Sequence, residues 1–381
     1  MHRFYEFFAG GGMVRMGLGP GWSCLFANDF DQKKARVYRR NWDDDVLDTR
    51  DVREVEASDL PGYADLAWGS FPCQDLSLAG SGAGLDGHRS GTFWPFLSLM
   101  EALIDEGRAP KIIALENVCG TLTSNGGRDF AAICSAFRLA DYRYGAVVMD
   151  AARFLPQSRP RLFFLALRSD LDLAPGMSDA VSSPVWYTKA LQNAYEKLDD
   201  HLRTHWIWWP IPEPRVRKGR LEHLIEDNPA SVTWHTSKET QRRLLMRSDV
   251  NLSKVDKAKR AGHRTVGTIY KRTRVDQKGH KTQRAEVRFD GVAGCLRTPA
   301  GGSSRQLVIV VEGDNVRTRL ISSRETARLM GLPDYYELPE NYNEAYHLTG
   351  DGVVVPAVRH LAKHVFEPIL KHANGQMKEA A

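Results

Sequence analysis

Residues 3–12 read Arg-Phe-Tyr-Glu-Phe-Phe-Ala-Gly-Gly-Gly, an aromatic, strand-like run that ends in three glycines. Glycines after a strand let a ligand approach the backbone closely, and the N-terminus of a following helix favours negative charge. A dinucleotide fingerprint would need a glycine at position 15, where the chain has Arg15. Together with Asp29, which follows the second strand and could accept hydrogen bonds from a ribose, the turn suggests an adenosine-containing ligand that need not carry a pyrophosphate, although a tight turn that binds nothing would have the same glycines.

The alternation of strand and helix signals continues outward from this stretch over about 170 residues. The predicted strands cover 3–8, 24–27, 64–68, 111–115, 145–149 and 161–167, with helices at 32–41, 92–105 and 130–139. This order predicts an α/β fold with a doubly wound, mostly parallel sheet. Ligands bind beyond the carboxyl ends of such strands. The pattern thus predicts that Gly10, Asp29, Cys73 and Glu116 lie along one edge of the sheet.

Composition and charge narrow the class of protein. The hydrophobic fraction of 42% and the charged fraction of 26% are ordinary for a globular protein. No apolar run approaches the ~20 residues that a membrane span needs, and residues 1–8 do not resemble a signal peptide. The five cysteines form no CxxC pair, which argues against a zinc cluster or a disulfide framework. We therefore expect a cytoplasmic protein that has no metal site and makes no membrane contact.

The second half of the chain has a different organisation and an uneven charge. Residues 251–300 contain thirteen Lys and Arg against four acids, which gives +9 for this segment and −4 for the remainder of a chain of net charge +5. A local basic block indicates contact with a polyanion, although a solvated, lysine-rich loop would look the same. We predict a catalytic domain over 1–184, a smaller recognition domain over 185–320 and a C-terminal segment, 321–381, that returns to the first domain. Within that last segment we expect a helix at 322–332 and, over 352–364, a strand at 353–355 that runs on as a helix after Pro356.

Three groups of side chains could carry chemistry. Cys73 lies in a loop rich in glycine and serine, so its thiol could be an accessible nucleophile or only a small buried side chain. Glu116 follows an apolar strand, where partial desolvation would raise the pKa of its carboxyl group and suit it to acid catalysis. Arg159 and Arg161, two apart in an extended segment, would point the same way and could clamp an anion or a carbonyl. The last two features are also compatible with ordinary surface residues.

The ordered motifs resemble those of the C5-cytosine DNA methyltransferases, and the resemblance covers the first ~170 and the last ~85 residues. The matching segments are Phe8-Ala9-Gly10-Gly11-Gly12, Asn28-Asp29, Phe71-Pro72-Cys73-Gln74 with Ser77, Arg89 to Thr92, Glu116-Asn117-Val118, Gln157-Ser158-Arg159-Pro160-Arg161, Arg324 to Pro333, and Gly350 to Val355. The resemblance implies a Rossmann-like fold that binds S-adenosylmethionine, and it makes the basic segment a DNA-recognition domain.

The same resemblance implies a role for individual residues. The cofactor-binding set would be Phe8, Ala9, Gly10, Gly12, Met13, Asp29, Phe30, Asp51, Val52, Phe71, Pro72, Gly352 and Val353. Within that set, Asp29 would bind the ribose, Phe30 would stack on the adenine, and Asp51 with Val52 would contact the adenine edge. The catalytic residues would be Cys73 as nucleophile, Glu116 as the group that protonates N3 of cytosine, and Arg159 and Arg161 as the residues that hold the base. The DNA contacts would include Gln74, Ser77, Arg272, Arg274, Arg297 and Thr298.

The implied enzyme is a monomer that acts on duplex DNA and extrudes its target cytosine, either within a restriction-modification system or alone. Three positions depart from the family pattern. Met13 stands where many relatives have glycine, Asp351-Gly352 where Asn and a small residue are common, and Cys295-Leu296 where Thr-Leu is common. None of these positions is among the four catalytic ones.

Three other functions have to be weighed against this one. An RNA cytosine methyltransferase would share the motifs, but the sizeable basic insert favours a lobe that reads a DNA groove. A catalytically inactive DNA-binding protein is disfavoured because every catalytic residue type is present. A nicotinamide oxidoreductase on a similar sheet is disfavoured by Arg15 in place of the third glycine.

Overall fold

The computed structural model describes residues 1–42, 45–72, 85, 90–173, 175–177, 184–217, 219–245, 249–275, 281–297 and 305–379. Cys73, Gln74, Ser77 and Thr298 lie outside these ranges. Arg272 and Arg274 are described for their backbone alone.

The secondary structure alternates through the first half of the chain and then becomes mixed. The strands are β1 (His2–Phe7), β2 (Trp22–Asn28), β3 (Leu47–Asp48), β4 (Leu66–Gly69), β5 (Ile112–Val118), β6 (Tyr142–Asp150), β7 (Pro160–Arg168), β8 (Thr265–Val275), β9 (Lys281–Arg288), β10 (Leu307–Glu312) and β11 (Asn315–Leu320). The helices are α1 (Met13–Leu18), α2 (Gln32–Asn41), α3 (Phe93–Asp105), α4 (Arg128–Leu139), α5 (Lys189–Glu196), α6 (Asp200–Arg203), α7 (Ser237–Leu245), α8 (Asp249–Lys259), α9 (Ser323–Met330), α10 (Tyr342–Asp351), α11 (Val355–Leu361) and α12 (Glu367–Glu379). A π-helical turn, Ala362–Phe366, joins the last two helices.

The chain folds into two units. Unit 1 comprises Met1–Asp150, Pro160–Arg215 and Val353–Ala381, and unit 2 comprises Ala151–Arg159 and Val216–Gly352. The segment 185–214, which is rich in Trp and Tyr and is called the aromatic segment below, therefore belongs with the first unit, whereas α9 and α10 belong with the second. These limits differ from the predicted ones near residues 184 and 320.

Unit 1 is built on a seven-stranded sheet in the order β3-β2-β1-β4-β5-β7-β6. Neighbouring strands from β3 to β5 run parallel, while β7 is antiparallel to both β5 and β6. The central strands are almost continuously apolar because helices cover such sheets on both faces. This topology confirms the predicted mostly parallel, doubly wound sheet.

The aromatic segment belongs to unit 1 because it covers the outer edge of β6. The N–H of Ile207 donates to the Tyr144 carbonyl at 2.6 Å, and the N–H of Val148 donates to the Trp186 carbonyl at 2.9 Å. Gly145 permits this approach, because a Cβ atom at that position would lie 2.0 Å from the Ile207 carbonyl oxygen. An edge strand covered in this way cannot pair with a second chain.

Unit 2 contains an antiparallel sheet in the order β11-β10-β8-β9. Helix α8 contributes to a small core with the inner faces of three strands, made of Val255, Ala258, Ile269, Val287, Leu307, Ile309 and Val311. Helix α9 begins at a capping box between Ser322 and Glu325 and ends at Gly331 in the left-handed conformation, close to the predicted limits.

Two expectations about local structure are wrong. The strand predicted at 353–355 is absent, because Val355 already begins α11 and Pro356 occupies its first turn, where a missing N–H costs nothing. Glu116 and Asn117 do not follow β5 but lie within it, since that strand extends to Val118. Among the described residues, no helix is both long and apolar enough to cross a membrane.

Candidate active site

The glycine turn after β1 has an unusual backbone. Phe8, Gly10 and Gly12 all have positive φ angles, of 57°, 58° and 76°. Such a conformation is easy for glycine and costly for phenylalanine, and strain of this kind is typical of ligand-binding loops. The N–H of Ala9 donates to the Asn28 carbonyl at 2.9 Å, which fixes the turn against the end of β2.

Asp29 supports this turn directly. Its Oδ2 accepts the Gly10 N–H at 2.8 Å, and its Oδ1 accepts the Asp31 N–H at 2.9 Å. Burial raises the pKa of Asp29, whereas the charge of Lys34 and these two amide donors oppose the rise. A carboxylate offers about four acceptor sites. Within the part of the chain that the structure describes, the two amides occupy two of these sites.

The neighbouring candidates differ in their accessibility. Phe30 is 63% exposed, as a residue that stacks on a ligand ring would be before binding. Asp51 accepts the Arg53 N–H at 3.0 Å and caps a short 3₁₀ turn, in which Val52 is buried. Phe71 is also buried and packs against the ring of Phe93.

Glu116 and Arg161 form an ion pair between adjacent strands. Arg161 lies opposite Val118 in the antiparallel β5–β7 pair, and this register makes it a diagonal neighbour of Glu116. Its Nε lies 3.0 Å from Oε1 of Glu116, whose side chain is 8% exposed. The guanidinium charge offsets the cost of burying the carboxylate.

Arg159 has a different environment, so the expectation that both arginines point the same way is wrong. It belongs to unit 2 and is 2% exposed. Its guanidinium group donates to three carbonyls, those of Leu296 at 2.9 Å, Gly350 at 2.8 Å and Gly352 at 2.7 Å. The alternation rule fails here because β7 begins only at Pro160.

The other candidates are dispersed over the two units. Gly352 ends α10 in unit 2, where Arg159 binds its carbonyl, and Val353 is buried in unit 1. Arg297 is exposed, and the backbones of Arg272 and Arg274 are part of β8.

The sequence interpretation missed three residues around the glycine turn. Glu6 in β1 is completely buried, Arg15 lies in α1, and Trp42 ends α2. An isolated charge inside the apolar run 4–9 was the signal for Glu6. No local pattern pointed to Trp42. Among the described residues, no group of three His, Cys, Asp or Glu side chains could hold a metal ion.

Comparison with known proteins gives a consistent result. The sequence matches the C-5 cytosine-specific DNA methylase family over residues 2–367. It is 24% identical to Type II methyltransferase M.HhaI of Haemophilus parahaemolyticus over 365 residues, which cover 95% of this chain and 94% of that protein. It is 23% identical to Type II methyltransferase M.HpaII of Haemophilus parainfluenzae, with 96% and 89% covered.

Solved structures show the same fold. The S. pombe Dnmt2 methyltransferase superposes with a TM-score of 0.58 at 17% identity, covering 97% of this chain and 99% of that one. A putative DNA modification methyltransferase encoded within an E. coli prophage gives 0.59 at 16% identity, with 97% and 100% covered. With its mostly parallel sheet, its glycine turn and a family match that spans nearly all its length, the chain belongs to the C-5 cytosine-specific DNA methylases.

Proposed function

We propose that this enzyme methylates carbon 5 of a cytosine that it extrudes from duplex DNA, with Cys73 forming a transient bond to carbon 6. The observation that carries the proposal is the buried Glu116–Arg161 ion pair near the end of β5. Strand β4 pairs with β5 in parallel, so the two strands end at the same edge of the sheet. Cys73 follows the last residue of β4, Gly69, by four positions.

Each of these side chains would have a defined task. The Cys73 thiolate adds to C6 while Glu116 delivers a proton to N3, which makes C5 enamine-like and able to attack a methyl group. As C5 takes the methyl group, the bond from the methyl carbon to sulfur breaks and its electron pair stays on sulfur. A base then removes the C5 proton, the electron pair of that bond re-forms the C5–C6 double bond, the thiolate leaves, and N3 returns its proton to Glu116. Arg161 holds Glu116 in place and carries a positive charge beside the base.

The residues around the glycine turn fit S-adenosylmethionine. Bound there, that molecule supplies an electrophilic methyl group on sulfur. Asp29 keeps acceptor capacity for ribose hydroxyls, and Phe30 presents an exposed ring. The positive φ angles of Gly10 and Gly12 allow a close approach of the ligand to the backbone.

The distal part of the β8–β9 hairpin is the segment we propose for groove contact. Strand β10 pairs with residues 265–269 of β8, whereas β9 pairs with β8 as far as Val275. Beyond residue 269, β8 and β9 therefore continue as a two-stranded ribbon. Residues 270–288 hold seven Lys and Arg against two acids, and Arg272 stands directly opposite Arg284. A DNA phosphate backbone attracts a segment with such an excess of positive charge, and the major groove accepts a two-stranded ribbon.

The proposal is tested by trapping on a duplex that contains 5-fluorocytosine in place of cytosine, in the presence of S-adenosylmethionine. A covalent adduct that maps to Cys73 is expected in the wild type and is lost in Cys73→Ser. Cys119→Ser is the matched control, because Cys119 lies near Glu116 and Arg161 and burial raises the pKa of its thiol to about 11. A thiol of that kind stays neutral and unreactive near pH 8.

Two outcomes would overturn the proposal. An adduct that survives Cys73→Ser would assign the nucleophile elsewhere. Transfer of labelled methyl groups to tRNA but not to duplex DNA would show that duplex DNA is not the substrate.

We also infer that the enzyme works as a monomer in the cytoplasm, since a single site acts on a single extruded base. Light scattering of the protein with and without a duplex gives its mass. A dimeric mass in both states would contradict this inference.

A further inference from the structure

We propose that Trp42 is a positioning residue that sets the shape of the cofactor turn, with Arg15 holding its ring in place. Trp42 immediately follows α2 as its C-terminal cap, and its own N–H donates to the Tyr38 carbonyl at 3.0 Å. The inference rests on the proposed function, because it concerns the turn assigned above to S-adenosylmethionine.

The indole ring contacts two consecutive residues of the turn. Its Nε1–H donates to the Gly11 carbonyl at 3.3 Å. A Cβ atom at Gly12 would lie only 2.1 Å from the same nitrogen. Gly12 is therefore required for two independent reasons, its left-handed backbone with φ of 76° and the ring that occupies the space beside it.

Arg15 fixes the ring from another direction. Its guanidinium carbon lies 4.6 Å from the centre of the Trp42 ring, within the range of a cation–π contact. Its Nη1 also donates to the hydroxyl of Tyr38 at 3.3 Å. Both aromatic rings project from α2, so Arg15 in α1 ties the helix after the glycine turn to the helix after Asp29.

The turn is held at each of its glycines as a result. Gly10 is bound by Asp29, Gly11 by the indole N–H, and Gly12 is packed against the indole ring. A turn arranged before the ligand arrives binds more tightly, because less conformational entropy is lost on binding. Trp42 should therefore affect cofactor affinity rather than the chemical step.

The experiment compares Trp42→Phe with Trp22→Phe. Trp22 is a matched control in the same unit, because its indole N–H also makes a 3.3 Å hydrogen bond, to Oε1 of Glu367. Trp42→Phe is expected to raise the dissociation constant for S-adenosylmethionine about fivefold, the worth of one hydrogen bond, in calorimetry. Trp42→Ala removes the ring as well and should raise it on the order of 30-fold.

Two further measurements distinguish a positioning role of Trp42 from a general loss of structure. With saturating S-adenosylmethionine, kcat of Trp42→Phe on duplex DNA should stay within about twofold of the wild type. Hydrogen exchange without ligand should quicken in the peptide spanning residues 8–16 for Trp42→Phe and not for Trp22→Phe.

Three results would overturn the inference. They are wild-type affinity in Trp42→Phe, an equal loss of affinity in Trp22→Phe, and unchanged exchange of the turn. If the wild type itself fails to bind S-adenosylmethionine, the proposed function fails, while the exchange comparison still decides whether Trp42 shapes the turn.

Discussion

Replacing Glu6 with glutamine is expected to make the free energy of unfolding less dependent on pH. Glu6 is completely buried in β1. Burial raises its pKa from 4.5 to about 8, although the charge of Arg15 and the amides of Arg15 and Val14 favour ionisation. The nearby carboxylate of Asp29 acts in the same direction as burial.

The direction and size of the effect follow from the two pKa values. The Glu6 carboxyl group ionises near pH 4.5 in the unfolded chain and near pH 8 in the folded protein. Its neutral form therefore contributes stability that is fully present below pH 4.5. This contribution is lost as the pH rises from 4.5 to 8, and above pH 8 the free energy of unfolding no longer changes because of Glu6. At about 1.36 kcal/mol per pH unit the full loss is roughly 5 kcal/mol, of which roughly 4 kcal/mol falls between pH 5 and pH 9.

Urea unfolding of the wild type and Glu6→Gln from pH 5 to pH 9 measures this difference. A buried glutamine carries its own cost at every pH, so the test is how the difference between the two proteins changes with pH. Asp29, whose pKa burial also raises, is present in both proteins and cancels to first order. Glu101→Gln, at an exposed position on α3, is the control and should change the free energy of unfolding by the same amount at pH 5 and at pH 9. Parallel curves for Glu6→Gln and the wild type would refute the reasoning.

Three further substitutions test the ion pairs and the covered sheet edge. Glu325→Gln should lower the free energy of unfolding in urea by about 3 kcal/mol, because it leaves the fully buried Arg319 without its ionic partner. Gly145→Ala should cost about 1–3 kcal/mol in the same assay, because the added Cβ overlaps a backbone carbonyl. Arg161→Lys should lower kcat about 100-fold through its contact with Glu116, with S-adenosylmethionine affinity in calorimetry unchanged.

The first half of the fold was predictable because local signals and tertiary packing agree there. The buried parallel strands β1, β2, β4 and β5 each read as a short, mostly apolar run. Helix α2 was predicted with its observed limits, Gln32–Asn41, and it has Asp31 as its N-terminal cap. The limits of α9 likewise depend on local residues, with Ser322 as its N-terminal cap and Gly331 at its C-terminal end.

Features that depend on distant residues were not predictable. The chain leaves unit 1 after Asp150 and returns at Pro160, and no composition change marks those two points. Arg159 and Arg161 are therefore alike in sequence but belong to different units. Val353 and Val354 have strong strand propensity, yet they lie outside the strands, and only the helix expected after Pro356 forms. The role of Trp42 depends on a contact across 31 positions, between its indole N–H and the Gly11 carbonyl.

The single antiparallel strand of the larger sheet, β7, lies between β5 and the edge strand β6, and its direction explains how an arginine reaches the proposed acid. The carboxyl ends of β4 and β5 lie at the same edge, and a parallel β7 would begin at the opposite one. Because β7 runs antiparallel to β5, its first residues lie beside the last residues of β5. The residue directly opposite Glu116 is the buried Phe163. The positive charge that pairs with Glu116 belongs to Arg161, which lies two residues nearer the edge of the sheet. That displacement leaves the arginine 16% exposed while its partner carboxylate is almost buried. A base approaching this edge would therefore meet both groups of the pair, which a cation at position 163 would not allow.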